Sequence, residues 1–126
     1  MSLEKKSNKE IVKEAITAVF VNGDLNAIDK YYSEDYIQHN PKASNGRDEL
    51  KQIFSAVKLK YEIGLIAENG EFVMVHARMT VFGRKPMVVV DIFRVKGGKL
   101  AEHWDVQQEE VPAENTRSKN AMFPAN

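Results

Sequence analysis

The beginning of the chain carries apolar residues at helical spacing. Ser7 and Glu10 fit the S-x-x-E capping box that starts a helix. Apolar residues then recur three and four positions apart, which predicts one buried helical stripe. The stripe consists of Ile11, Val12, Ala15, Ile16, Val19 and Phe20. Asn22-Gly23 is a typical helix end, and Asp24 can cap a second short helix that leads into Tyr31-Tyr32.

The next stretch is polar and aromatic before the helical pattern returns. Residues 33–41 end at Pro41, which biases Asn40 away from the helical conformation. Asn45-Gly46 closes this predicted loop, and a third helix is predicted over 48–58. Its apolar face would hold Leu50, Ile53, Phe54 and Val57.

From Lys60 onward the pattern changes to that of strands. Apolar and β-branched runs cover 72–82, 87–95 and 100–108, and turn signals separate them at 69–70, 83–86 and 96–98. Helices followed by a strand meander predict an α+β fold with an antiparallel sheet. One face of the sheet should pack on the helices, and an apolar second face would meet a partner subunit.

Composition narrows the function classes. The chain has 126 residues, of which 43% are hydrophobic, so one folded domain is expected. It has no cysteine, which excludes disulfides, a zinc–thiolate site and a cysteine nucleophile. The 18 basic and 18 acidic side chains balance, so we expect no nucleic-acid partner. Without a transmembrane run or a signal-peptide h-region, the expectation is a cytoplasmic protein with no membrane partner.

Two of the six aspartates lie in predicted strands, where aspartate is disfavoured. Side chains alternate along 87–95, so Val89, Asp91, Phe93 and Val95 share one face. Both faces are largely apolar, which predicts that Asp91 is at least half-buried. A buried carboxylate is costly unless it is paired or protonated. Asp91 is therefore either a structural group bonded to the backbone or to an arginine, or an acid/base group that lines a cavity.

The second strand aspartate is part of a His-x-Asp pair. Alternation puts Ala101, His103, Asp105 and Gln107 on one face of the last strand. The other face would hold Leu100, Glu102, Trp104, Val106 and Gln108. A hairpin at 96–98 brings Asp91 near His103 and Asp105, which predicts a cooperating acid/base set. The alternative is a solvated edge strand with a polar face, and the neighbouring tryptophan argues against it.

The other histidines are ambiguous. His39 and Asn40 contribute to a site only if their loop covers the concave side of the sheet; otherwise His39 is structural or solvated. His76 is either a pocket group or part of a pair across the sheet. Arg94 is expected to pair with a glutamate. The three histidines and two strand aspartates could ligate a metal, but no H-x-x-x-H or H-E-x-x-H spacing supports this, so neither metal nor cofactor is predicted.

Two blocks of the sequence resemble a known family. Residues 32–41, YSEDYIQHNP, resemble the Y-x-x-x-Y-x-Q-H-N-P stretch of SnoaL-like proteins, in the nuclear transport factor 2-like superfamily. Residues 90–106, VDIFRVKGGKLAEHWDV, resemble the D-x-F-R-x-x-x-G-K-I-x-E-H-W-D ending of the same group. The resemblance covers about residues 8–111 of a single domain spanning 1–126, and leaves a polar tail over 112–126.

The resemblance implies a cone-shaped barrel in which a curved sheet wraps around helices and leaves a deep pocket. In the polyketide cyclases of the group, the reaction is an intramolecular aldol condensation without metal or covalent intermediate. Asp105 matches their acid/base residue, and Asp91, His39 and Asn40 occupy positions that bind or polarise the carbonyl. The catalytic set predicted is Asp105, His103, Asp91 and His39, and the substrate-binding set is Asn40, His76, Phe93 and Tyr36.

Three functional hypotheses remain open. In a cofactor-independent enzyme, Asp105 would be the general base. His103, His39 and Asn40 would then stabilise an enolate, and Asp91 would orient a histidine or act as a second acid. A non-catalytic protein would use the same cavity to bind a small hydrophobic or carbonyl ligand. The third possibility is a dimeric scaffold with a filled cavity. A homodimer is expected through the outer sheet face, formed by Val88, Val90, Ile92, Trp104 and Val106.

Overall fold

One five-stranded sheet organises the protein, with strand order β1-β5-β4-β3-β2. The computed structural model describes residues 5–125. Its helices are α1 (Asn8–Ile16), α2 (Ala27–Tyr31) and α3 (Arg47–Ala56), with a π-helical turn at Thr17–Val21. Its strands are β1 (Tyr32–Gln38), β2 (Leu59–Asn69), β3 (Phe72–Val81), β4 (Met87–Lys96) and β5 (Lys99–Glu109). The sheet is curved around the helices in the predicted cone-like manner, without closing into a barrel.

The first helix begins where the capping box predicts. The backbone N–H of Glu10 donates to Ser7 Oγ at 3.1 Å, so the hydroxyl satisfies one of the free amides of the first turn. The apolar stripe of this helix is buried against the inner face of the sheet, in one core with Val75, Phe93 and Leu100. Among residues 5–125, no helix is long and apolar enough to span a membrane.

The segment predicted as a loop over 33–41 is mostly a strand, so that prediction is wrong. β1 pairs with β5 in parallel, with Tyr32 opposite Leu100 and Gln38 opposite His103. The sheet is therefore mixed, whereas a purely antiparallel sheet was expected. β1 is an edge strand, and its exposed positions hold Glu34 and Asp35, so its sequence does not look like that of a buried strand.

A bulge in β5 changes the predicted alternation at the start of that strand. Arg94 pairs with Glu102, but Val95 pairs with Leu100, which leaves Ala101 as an extra residue. Leu100 consequently turns inward and is fully buried, so its predicted place beside Trp104 on the outer face is wrong. From Glu102 to Gln108 the alternation is as predicted.

The C-terminal segment, predicted as a polar tail, folds back over the outer face of the sheet. Phe123 is only 6% exposed. The centroid of its ring lies 5.4 Å from the centroid of the His76 ring. The same centroid lies 4.8 Å from the guanidinium carbon of Arg78. Gly64 makes room for it, since a Cβ at Gly64 would lie 2.7 Å from Phe123 Cε2. The tail therefore belongs to the folded structure through one aromatic anchor.

Candidate functional site

A cavity of about 320 Å³ lies between the inner face of the sheet, α3 and the loop that follows β1. Its walls are mostly aromatic and aliphatic, with a group of polar side chains on β1, β4, β5 and the loop after β1. The apolar part includes Phe20, Leu50, Ile53, Phe54, Leu59, Met79 and Val81. The polar part includes Gln38, Asn40, Asp91, His103, Asp105 and Gln107. An open cavity with few polar groups is typical of a small-molecule site, and it argues against a scaffold with a filled interior.

Asp91 and His103 form a buried pair on neighbouring strands. Their relative exposures are 4% and 7%, and His103 Nε2 lies 2.8 Å from Asp91 Oδ1. The other imidazole nitrogen, Nδ1, lies 2.7 Å from Gln38 Oε1. That same oxygen accepts the backbone N–H of Asn40 at 3.1 Å, so it is an acceptor. His103 Nδ1 must therefore carry a hydrogen that it donates to Gln38.

This hydrogen-bond arrangement fixes how many protons the pair contains. With Nδ1 protonated, a neutral His103 offers only a lone pair at Nε2. The 2.8 Å contact to Asp91 then needs one further proton, carried either by Nε2 or by Asp91 Oδ1. In both cases the pair is neutral overall and has a proton to donate. This neutrality explains how two titratable groups are tolerated inside an apolar core.

Tyr61 completes the surroundings of Asp91. Its hydroxyl donates to Asp91 Oδ2 at 2.7 Å, so both oxygens of this carboxyl group have a partner. Burial raises the pKa of Tyr61, as do the charge of Asp91 and the hydrogen bond to it. Tyr61 therefore stays protonated and acts as a hydrogen-bond donor. Tyr32 also lines the cavity, and burial followed by the charge of Asp91 raises its pKa. Its hydroxyl has no hydrogen-bond partner within residues 5–125.

Asp105 is half-buried and open to the cavity, and amide groups hold its side chain. Asn40 Nδ2 lies 3.0 Å from Oδ1 and 2.8 Å from Oδ2, and Gln107 Nε2 donates to Oδ2 at 3.2 Å. The orientation of the Asn40 amide follows from its other end, where Oδ1 accepts the backbone N–H of Lys42 at 2.8 Å. The loop after β1 thus positions the carboxylate of β5.

Asp105 lies close to the buried pair without being hydrogen-bonded to it. One donor atom from each of Asp91, His103 and Asp105 lies within 4.8 Å of the other two. Such a nitrogen–oxygen set suits a divalent cation by chemistry. However, His103 has no ring nitrogen free for a cation, because Nδ1 donates to Gln38 and Nε2 contacts Asp91. The arrangement therefore fits proton transfer better than metal binding.

Three of the predicted site residues do not line this cavity. His39 points to the outer side, where its ring stacks on Trp104 at 4.6 Å and its Nε2 bonds Glu102 Oε2 at 2.6 Å. His76 is on the outer face of β3, against Phe123. Phe93 is fully buried beneath the His103 ring, 4.9 Å away between centroids. The expectation that these three contact a ligand is thus corrected. Alternation puts His76 on the outer face, and the chain turns His39 outward after Gln38. Phe93 does share the inner face, but the His103 ring covers it.

The remaining predicted residues meet in one place. Asp91, His103, Asp105, Asn40 and Tyr36 all line the cavity. Sequence reasoning missed Tyr61, Gln38 and Gln107 as hydrogen-bonding partners. Gln38 and Gln107 could have been found, since the first belongs to the motif over 32–41 and the second alternates with Asp105. The predicted pairing of Arg94 with a glutamate is confirmed, because its Nε donates to Glu102 Oε1 at 2.8 Å.

Comparison with known proteins identifies the family. The family model of the SnoaL-like domain matches residues 12–103, and the chain belongs to this family. No curated protein matches the sequence significantly.

Solved structures with low sequence identity share the fold. An NTF2-like protein from Cytophaga hutchinsonii has a TM-score of 0.75 at 16% identity, covering 85% of this chain and 95% of its own. A candidate polyketide cyclase from Bacillus cereus has a TM-score of 0.70 at 20% identity, and the match covers 85% of this chain and 78% of that one. An LEH-like epoxide hydrolase from M. tuberculosis has a TM-score of 0.69 at 20% identity, and the match covers 80% of this chain and 82% of that one. At these identities the likeness is one of fold.

Proposed function

We propose that the protein is a cofactor-independent acid/base enzyme acting on a small, largely hydrophobic carbonyl compound. The observation that carries this proposal is the juxtaposition of Asp105 with the Asp91–His103 pair on one cavity wall. Asp105 is held by N–H donors and presents a proton acceptor to the cavity. The buried pair holds a proton that it can donate. A base and an acid within a few ångströms are what proton transfer next to a carbonyl requires.

The proposed step begins with removal of a proton from the carbon next to the carbonyl. Asp105 takes this proton, and the C–H electrons form the carbon–carbon double bond of an enolate. The proton shared by His103 and Asp91 moves toward the enolate oxygen, while Asn40 keeps the Asp105 carboxylate in place. In an aldol reaction the enolate carbon would then attack a second carbonyl. The likeness to candidate polyketide cyclases supports this reaction class.

Hydrogen–deuterium exchange at a ketone tests the first step without knowledge of the substrate. The wild-type protein is incubated with cyclohexanone in D₂O, and loss of the α-proton signal is followed by NMR. We expect catalysed exchange that Asp105→Asn reduces by about 10²-fold or more, since a general base contributes that much. Asp35→Asn is the matched control, because Asp35 is exposed on β1 and does not line the cavity. Equal exchange by the wild type and Asp105→Asn would contradict this role.

The same groups could instead open an epoxide, a candidate reaction favoured by the proton held opposite the base. Asp105 would accept a proton from a water that attacks one ring carbon, and the Asp91–His103 pair would protonate the ring oxygen as its C–O bond breaks. The fold likeness to an LEH-like epoxide hydrolase supports this second candidate. Hydrolysis of styrene oxide in ¹⁸O-labelled water, with the label found in the diol, would distinguish it from enolate chemistry.

Non-catalytic binding of a small ligand remains the alternative to both reactions. It uses the same cavity, with the polar groups only orienting the ligand. Ligand binding in the absence of any exchange or epoxide hydrolysis would favour it.

We also propose that two copies pair through the outer face of the sheet. Val106 is 70% exposed there, beside the partly exposed Trp104, Ile92 and Val90, which gives an apolar patch. Val88 contributes less than predicted, because it is already buried within the chain. Sedimentation of the wild type and of Val106→Glu tests this: we expect a dimer for the first and a monomer for the second.

A further inference from the structure

The opening of the cavity carries two cationic side chains that form no ion pair with the residues the structure describes. Lys42 and Arg84 both line the cavity and are both exposed, so they flank its opening to solvent. Within residues 5–125, the ion pairs formed by other residues include neither of them. Their positive charge is therefore available to a ligand.

Hydrogen bonds order the two turns that carry Lys42 and Arg84. In the loop after β1, Lys42 N–H donates to Asn40 Oδ1 at 2.8 Å, and Ala43 N–H donates to the Asn40 carbonyl at 3.2 Å. In the turn between β3 and β4, Arg84 N–H donates to the Val81 carbonyl at 2.9 Å. Gly83 adopts a φ of 86°, a conformation that suits glycine. The two side chains thus belong to hydrogen-bonded turns that both border the cavity.

Lys85, the neighbour of Arg84, differs from it in both respects. It follows Arg84 directly but does not line the cavity, and its Nζ lies 3.3 Å from Glu109 Oε1. The turn therefore contains one ion-paired cation and one that is outside the ion pairs of residues 5–125. Only the latter faces the cavity.

Behind this opening the cavity is apolar, so its ligand needs an apolar body. Phe20, Phe54, Leu59 and Met79 contribute to this wall. The volume of about 320 Å³ accommodates roughly ten water-sized groups. A ligand body of roughly that many non-hydrogen atoms would therefore fit.

We propose that the ligand of this site is an amphipathic anion, whose apolar body fills the cavity and whose carboxylate or phosphate head group binds Lys42 and Arg84. The inference rests on the proposed function, since it defines the substrate class of the same cavity. Charge-assisted hydrogen bonds from a guanidinium and an ammonium suit either head group. The two cations also offset repulsion between the head group and Asp105. A carbonyl farther along the body would lie beside Asp105 and the Asp91–His103 pair.

Calorimetric titration with ligands of one chain length tests this class directly. The probes are decanoate, decyl phosphate, decanol and decylamine, each below its aggregation limit. We expect decanoate or decyl phosphate to bind about tenfold tighter than decanol, because charge-assisted hydrogen bonds strengthen binding; tenfold corresponds to about 1.4 kcal/mol. Whichever anion binds more tightly identifies the head group. Decylamine should bind more weakly than decanol.

Substitutions locate the head group. Lys42→Met and Arg84→Met keep most of the apolar stem, and each should weaken the better anion by about threefold to tenfold while leaving decanol affinity unchanged. Lys85→Met is the matched control and should change neither. Asp105→Asn should keep the preference for the anion, so that loss of exchange activity and loss of anion binding are separate results. Equal affinities for the anions and decanol, no binding of any probe, or full anion affinity in the Lys42→Met/Arg84→Met double variant would overturn the proposal.

Discussion

Asp91 and Asp105 are opposite each other on β4 and β5, yet their hydrogen-bond partners differ in kind. Asp91 is buried and bonded to the imidazole of His103 and the hydroxyl of Tyr61. Asp105 is half-buried, and its partners among the described residues are side-chain amides. One residue type thus serves two purposes on one wall: Asp91 keeps a shared proton in the core, and Asp105 presents a carboxylate to the cavity.

Removing the Asp91 carboxyl group should destabilise the fold. Asp91→Ala leaves His103 Nε2 and the Tyr61 hydroxyl buried without a partner, and we expect a loss of about 3 kcal/mol in the free energy of unfolding. Urea denaturation followed by the fluorescence of Trp104, the single tryptophan, measures it. Asp35→Ala at an exposed position should change stability by less than about 0.5 kcal/mol. Equal losses in the two variants would show that the buried pair contributes nothing to the fold.

The two buried tyrosine hydroxyls near Asp91 should respond oppositely to removal. Tyr61→Phe deletes a hydrogen bond of 2.7 Å to Asp91 and should cost about 1–2 kcal/mol. Tyr32→Phe deletes a hydroxyl that has no partner in the described chain, and it should be neutral or stabilising. Both variants keep the aromatic ring, so packing is matched. The same denaturation measurement applies, and a larger loss for Tyr32→Phe would contradict the assigned hydrogen bonds.

Local signals explain which parts of the fold were predictable. The N-cap at Ser7 and the hairpin turns depend on neighbouring residues alone, and the N-cap and the turn within 96–98 occur as predicted. The turn predicted at 69–70 lies one residue later, since Asn69 pairs with Phe72. β1 was missed because its partner, β5, is distant in sequence and because two of its exposed positions, Glu34 and Asp35, are charged. Leu100 was misplaced because a bulge depends on how two strands fit together, which alternation along one strand does not describe.

The same distinction applies to the site. Strand alternation and one hairpin were sufficient to bring Asp91, His103 and Asp105 together. Tyr61 and Gln38 come from strands on either side, so their contacts depend on the curvature of the whole sheet. His39 belongs to the same motif as Asn40, but consecutive residues at a strand end point in different directions.

The C-terminal anchor should contribute to stability. Phe123→Ala removes a buried ring from the outer face and should cost about 2–4 kcal/mol. Phe82→Ala is the matched control, because that ring is 82% exposed and its removal should cost less than about 0.5 kcal/mol.

Gly64→Ala should weaken the same anchor from the other side. The added Cβ would lie 2.7 Å from Phe123 Cε2 and 2.7 Å from the His76 carbonyl oxygen, so a loss of about 1–3 kcal/mol is expected. Because both variants affect one contact, their combined loss in denaturation should be smaller than the sum of the two. An additive result would mean that the ring and the glycine act independently.

The outer-face contact between His39 and Glu102 should make stability depend on acid pH. The hydrogen bond from His39, followed by that from Arg94, holds the pKa of Glu102 below its ordinary value of 4.5. The unfolded chain therefore takes up a proton at Glu102 at a higher pH than the folded chain does. The stabilisation from Glu102 is complete above pH 4.5 and is lost as the pH falls through the lowered folded-state pKa. Urea denaturation of the wild type and Glu102→Gln from neutral to acid pH measures this. We expect the wild type to be more stable at neutral pH and the difference to shrink below 4.5; a difference that stays constant with pH would refute the assigned shift.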